Sequence, residues 1–194
     1  WCVLSIVLLL SPTLVRDRLR NTRPMQWASR RGRSVLNVQM GAALLSALVL
    51  AVVNMTVYVI PFLAQGPLQF AACGLDGIWE WGTPWFDWTY GTYLLVLAGL
   101  ILALSLGAAG LTAFLSQYSG NYIAMLLKAV PLFVAVGAVL GSWLLDRPFT
   151  FRPLWDGYGP WVPKGAEAVA AAVLLALGLG LCALACRRQR KREL

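Results

Sequence analysis

The sequence predicts an all-α fold, a polytopic bundle of transmembrane helices. Three observations carry this. Of the 194 residues, 59% are hydrophobic and only 12% charged, against about a quarter charged in soluble domains. The apolar residues gather into long blocks, and an uncharged block of about 18 or more reads as a membrane span. The basic residues behind the net charge of +8 sit in two short runs beside apolar blocks. That is the pattern of membrane-flanking loops, and it points to a lipid bilayer rather than nucleic acid as the partner.

The first apolar block covers residues 1–14, is broken by Ser11-Pro12, and turns basic over Val15–Arg20. A secretory signal carries its positive charge ahead of its apolar run. The block is therefore expected to be the inner end of a spanning helix that begins before Trp1, and the chain a C-terminal piece. Residues 15–34 follow as a cytoplasmic segment. The blocks at 35–63, 90–115, 122–145 and 165–186 come next. At about 1.5 Å per residue each can cross a hydrocarbon core of about 30 Å. Only helices and closed barrels pair every backbone group internally, and barrel strands would be short and alternating. The expected architecture is four complete spans plus the C-terminal end of another, in one transmembrane domain, with a basic tail at 187–194. No internal repeat or second domain is evident.

Orientation follows from the loop cations. Arg16, Arg18, Arg20, Arg23, Arg30, Arg31 and Arg33 lie between the first two blocks, and Arg187, Arg188, Arg190, Lys191 and Arg192 follow the last. The Ala64–Thr89 loop has no Lys or Arg but holds Asp76, Glu80 and Asp87. The Asp146–Lys164 loop is mixed. Four crossings return the chain to its starting side, so both basic segments share a side, expected to be cytoplasmic. Pro61, Gly66 and Pro67 are expected to end the second helix. Residues 116–121 make a tight turn, and Pro148, Pro153, Pro160 and Pro163 break the last outer loop.

Cysteine and histidine usage narrows the chemistry. Of Cys2, Cys73, Cys182 and Cys186, only Cys73 falls outside, so no disulfide framework is implied. Cys182 and Cys186, one turn apart at a helix end, read as small apolar filler, with acylation as the alternative. The chain has no His, which removes the commonest metal ligand and general base. No metal site and no catalytic residue is expected.

Several positions are candidates for function. Trp79, Trp81, Trp85, Phe86, Trp88, Tyr90 and Tyr93 crowd the stretch IWEWGTPWFDWTYGTY. This reads as an interfacial aromatic belt, or as an element shaping an outer mouth, with Asp87 orienting it. Stripes of small residues at Gly99, Ala103 and Gly107, at Gly137 and Gly141, and at Ala172, Ala176 and Gly180 allow close helix packing. Polar residues inside helices are costly: Asn54, Thr56, Ser105, Thr112 and Lys128. Lys128 lies roughly 9 Å from the start of its helix by helical rise and is read as snorkelling; the alternative is a charge facing an internal cavity. Asn54, Asp87 and Lys128 are the candidates for a pathway or its outer mouth. Pro131, close after Lys128, is placed to kink the helix of the 122–145 block. In the first basic segment Thr22 can cap a short helix starting near Pro24, and Met25 and Trp27 give it an apolar docking surface. The alternative is a solvated loop on anionic lipid heads.

At this segment NTRPMQWASRRGRSVLNVQM resembles the cytoplasmic loop of permease subunits of bacterial ATP-binding-cassette exporters, of the six-helix type-2 class. Similar SxRGRxxL stretches enter a spanning helix there. TPWFDWTYGTYLLVLAG and FLSQYSGNYIAMLLKAVPLF are also similar to such permeases, less specifically, and about a third of the chain carries the resemblance. It implies a permease in the bacterial plasma membrane with both ends cytoplasmic and no chemistry or cofactor of its own. A separate ATPase subunit binds and hydrolyses ATP and pushes on the short helix, which by position is Pro24, Met25, Gln26, Trp27, Ala28, Ser29, Arg30 and Arg31. A second permease half, in a homo- or heterodimer, completes the pathway. The chain has no G-x-x-x-x-G-K-[ST] phosphate loop. An intramembrane enzyme is disfavoured, because all acidic residues but Asp17 and Glu193 fall outside or near outer helix ends. A secondary transporter would favour repeats and interrupted helices. A membrane sensor or accessory protein without a transport role is the alternative reading.

Overall fold

The computed structural model describes residues 2–19, 35–75, 83–84, 86–140, 150–151 and 165–192. Among these the protein is helical: α1 (Cys2–Leu19), α2 (Val35–Ala64), α3 (Tyr90–Gln117), α4 (Tyr122–Leu140) and α5 (Ala166–Arg192). A 3-10 turn spans Pro67–Phe70. Three helices are long and apolar enough to cross a membrane, over Asn37–Ala64, Tyr90–Gln117 and Ala166–Arg188. Shorter apolar stretches cover Cys2–Ser11 and Tyr122–Ala135.

The surface fits that environment. Val38, Leu45, Val49, Val53, Val57 and Ile60 on α2 are exposed, as are Val169, Val173, Leu177 and Leu184 on α5. In water each such side chain left uncovered forgoes about 1.5–3 kcal/mol of burial free energy. In lipid it forgoes little, and a helix apolar on all sides is what a membrane accommodates.

The helix ends show how the backbone is kept paired. Gly66 takes a left-handed φ of 83°, and the N–H groups of Gln65 and Gly66 close the last turn of α2 on Phe62 and Leu63. Pro67 then opens the 3-10 turn. Pro61 lies inside α2 and does not end it. Ser11-Pro12 breaks the apolar pattern but not α1, which runs on to Leu19. The basic run Arg187–Arg192 is the last part of α5. Arg and Lys are good helix formers, so leaving the apolar block does not end the helix.

The start of α3 is covered by the chain before it. Thr89 caps it, its hydroxyl accepting from the Thr92 N–H at 3.4 Å. Tyr90 and Gly91, whose N–H groups lack intrahelical acceptors, donate to the carbonyls of Cys73 and Ala71 at 2.9 and 3.0 Å. A Cβ on Gly91 would stand 3.1 Å from that Ala71 oxygen, so glycine permits the approach. Two short strands, β1 (Thr83–Pro84) and β2 (Thr150–Phe151), pair antiparallel. They tie the α2–α3 and α4–α5 connections together at one end of the bundle.

Helix α3 is central and packs against each of the other four helices, most extensively against α5. Ile6, Leu10, Ala43, Ala47, Ala51 and Ala109 join α1, α2 and α3. Val7, Ala108, Ala129 and Phe133 join α1, α3 and α4. The α3–α5 contact is backbone against backbone: a Cβ on Gly107 would lie 2.8 Å from the Leu174 carbonyl oxygen, and one on Gly110 2.5 Å from the Gly178 backbone. Of the expected stripe positions Gly107 makes this backbone contact, and Gly110 and Gly178, which complete it, lie outside the stripes. A Cβ at Gly99, Gly137 or Gly180 would meet nothing within 4 Å among the described residues, and Ala172 and Ala176 face outward. Four-residue spacing identified helices that pack closely but not the face that meets its partner.

Candidate functional site

The polar side chains inside the helices sort into those satisfied by their own helix and those that reach another. Thr56 donates to the Val52 carbonyl at 2.8 Å, Thr112 to Ala108 at 2.7 Å, and Ser116 to Ala113 at 2.6 Å. Ser11 donates to Val7 in the same manner. Such back-bonding lets a hydroxyl sit in an apolar setting without a tertiary partner. Ser105 is fully buried on α3, and its Oγ has no hydrogen-bond partner among the described residues.

Asn54 reaches between helices. Its Nδ2 donates to the Ser5 Oγ of α1 at 3.0 Å and to the Leu50 carbonyl of its own helix at 2.8 Å. Ser5 in turn donates to the Cys2 carbonyl at 2.9 Å. This polar clasp joins α1 to α2 inside the apolar bundle.

Lys128 is exposed on α4, and its Nζ donates to the Tyr118 carbonyl at 3.2 Å. Tyr118 is the C-cap of α3. The ammonium thus turns back along α4 and sits on the carbonyl-rich end of α3, where a cation is favoured. The turn it closes is compact. Ser119 Oγ donates to Leu115 at 3.0 Å, and the rings of Phe114 and Tyr118 lie 5.0 Å apart.

Asp87 is exposed at the other end of α3. The flanking Phe86 and Trp88 rings stack at 4.8 Å across it. Asp87 and Lys128 are therefore separated by the length of α3, about 40 Å at 1.5 Å per residue. Asn54 belongs to the α1–α2 contact. The structure brings none of these three together. The segment Pro24–Arg31 lies outside the described residues, as do Trp79, Trp81 and Trp85.

Sequence reasoning passed over Glu167. This carboxylate in the first turn of α5 is only 6% exposed. It lies one turn before the buried Ala171, which packs with Leu75, Tyr93 and Leu100. The signal was its phase: Glu167, Ala171, Gly178, Cys182 and Ala185 mark the buried face of α5. An acid in a first helical turn is also stabilised by the helix dipole.

Between α2 and α3 a groove of about 480 Å³ is lined by Met55, Thr56, Val59, Phe62, Leu94 and Ile101 among others. Its walls are almost wholly apolar. Among the described residues, no three His, Cys, Asp or Glu side chains gather to hold a metal ion. No protein-family model, curated protein or solved structure matches the chain.

Proposed function

We propose that the chain is the membrane-spanning permease subunit of an ATP-binding-cassette transporter in a bacterial plasma membrane. In this scheme α2, α3, α4 and α5 are four crossings, with α1 beside them. The 19 residues of α4 reach about 28 Å, close to the hydrocarbon thickness of about 30 Å. The β1–β2 pairing holds two connections at one end, which supports putting the residue 20–34 link and the C-terminus together at the other. Their cations then face the cytoplasm.

The observation that carries the proposal is the stretch Ser29–Leu36, SRRGRSVL, at the entrance to an apolar helix. It overlaps Pro24–Arg31 at Ser29–Arg31, and there an apolar Met25 and Trp27 sit among arginines. The helices it joins are packed on each other and clasped by Ser5 and Asn54, so a push on the link displaces both. A partner subunit binds and hydrolyses ATP, and a second permease half encloses the pathway.

Co-purification tests this directly. The protein captured from its native membrane brings a cassette ATPase with it, and replacing Met25–Arg31 with Gly-Ser abolishes that capture while the helix content by circular dichroism is kept. Capture of no ATPase by the unaltered protein refutes the proposal and favours an accessory or sensory role.

A further inference from the structure

Three sulfur-bearing side chains meet where α2, α3 and α5 converge. Met40 and Cys182 form one buried cluster with Ala113, and the half-buried Cys186 packs against it. Cys182 and Cys186 are four residues apart on α5, so their Cβ atoms lie about 5–6 Å apart on one face. That spacing lets both sulfurs turn toward one ion. Met40 brings a thioether from α2. Both thiols are free of disulfides. Arg187 and Arg188, both exposed, follow directly on α5.

We propose that Met40, Cys182 and Cys186 bind Cu(I). Thiolate and thioether sulfurs are soft donors that select Cu(I) over hard cations such as Mg²⁺ or Ca²⁺, which require oxygen. A structural zinc site takes four nitrogen, sulfur or carboxylate donors, and the described residues offer no cluster of that kind. Cu⁺ and two thiols give a bis-thiolate complex and release two protons to solvent, with no change of oxidation state. The Met40 sulfur adds as a neutral third donor. The complex carries one negative charge.

The placement gives binding a structural consequence. Helices α2 and α5 touch only sparingly, each packing mainly on α3. A metal held by Met40 on one and two cysteines on the other fastens them together at the arginine-bearing end of α5. The sequence alone left Cys182 and Cys186 as filler because the third sulfur is remote in the chain.

The test is an anaerobic titration of the detergent-solubilised protein with Cu(I) presented as its bicinchoninate complex. The protein withdraws one Cu(I) per chain, with a rise in ultraviolet thiolate-to-Cu(I) absorbance. Cys182→Ser combined with Cys186→Ser abolishes both signals. Met40→Leu weakens binding by about ten- to a hundredfold, the range for loss of a supporting group at a metal site, while the absorbance persists. Cys2→Ser and Cys73→Ser leave the titration unchanged. Bound Cu(I) also protects Cys186, but not the exposed Cys73, from maleimide. Should the double serine variant lose helix content, Cys186→Ser alone carries the same expectation. Failure of the unaltered protein to withdraw Cu(I), or retention of the absorbance without both cysteines, overturns the proposal.

Discussion

Substituting Gly110 with Ala probes the contact on which the bundle is organised. A Cβ there would sit 2.5 Å from the carbonyl carbon and oxygen of Gly178. Carbon atoms in contact prefer about 3.5–4.0 Å, so about 1 Å of clearance is missing. The obstacle is helix backbone, which cannot turn aside as a side chain can, and α3 and α5 must separate. A gap of about 0.5–1 Å already forfeits a quarter to a half of each dispersion contact along the interface. Overpacking of this kind costs about 1–3 kcal/mol. Against it stands a helix-propensity gain of about 1 kcal/mol for Gly to Ala. Gly180→Ala supplies the control, because a Cβ at Gly180 meets nothing within 4 Å and the propensity gain is the same. The difference between the two variants therefore isolates the packing cost. With about 2–4 °C per kcal/mol for a chain of this size, Gly110→Ala melts about 2–12 °C below Gly180→Ala in a detergent thermal scan followed by circular dichroism. Equal melting temperatures refute the close α3–α5 approach.

Three other outcomes follow from the side-chain contacts. Ser5→Ala and Asn54→Ala each destabilise by about 0.5–1.5 kcal/mol, and their double-mutant cycle returns a coupling of about 0.6 kcal/mol, the average for membrane helices. Additive effects would break the α1–α2 clasp. If the chain is the proposed permease, Lys128→Met leaves its transport unchanged in vesicles, since the ammonium bonds the Tyr118 carbonyl at the end of α3; lost transport with normal folding favours a charge facing a cavity. With the expected orientation, a membrane-impermeant maleimide labels the exposed Cys73 in intact cells and leaves the buried Cys182 unmodified; labelling of Cys73 only after permeabilisation reverses that orientation.

The existence of the helices was legible in the sequence because an apolar block in lipid leaves the backbone no option but to pair with itself. Their ends were less legible. Hydropathy changes at Arg187, yet the hydrogen-bond ladder of α5 continues to Arg192. Hydropathy also breaks at Ser11-Pro12, where the ladder of α1 does not. The interhelical face was hidden for a different reason. Gly99, Ala103 and Gly107 share a spacing, but Gly99 meets nothing among the described residues, Ala103 packs beside Ala171, and Gly107 lies against the α5 backbone, where Gly110 three residues on completes the contact. Spacing within one helix carries no information about a neighbour's position. Asn54 was marked by its polarity, whereas its partner Ser5 lies 49 residues away and nothing local announces it. Glu167 was missed because an acid beside an outer loop reads as solvated. Its phase with Ala171 and Gly178 was the available cue.

The contacts around α3 differ in kind, and under the proposed permease reading this bears on how a push at the residue 20–34 link would travel. Toward α5 the contact is glycine backbone on backbone, with Ala103 and Ala171 packed into the adjoining cluster. Toward α2 it opens into the 480 Å³ groove. Close contacts resist sliding because small displacements cost many dispersion contacts at once; an apolar groove offers fewer. On the proposed permease reading the seam expected to yield is the one between α2 and α3, with α1 following α2 through the Ser5–Asn54 clasp. If the proposed permease reading holds, cysteines placed at Val59 and Leu94 on the groove walls, over a background lacking the native cysteines, cross-link at a rate that changes when ATP is supplied together with the proposed partner ATPase. The pair Ala103→Cys and Ala171→Cys on the α3–α5 contact cross-links at a constant rate. If the second pair responds to ATP and the first does not, the moving seam lies on the other side of α3, and the α3–α5 contact is the hinge rather than the anchor.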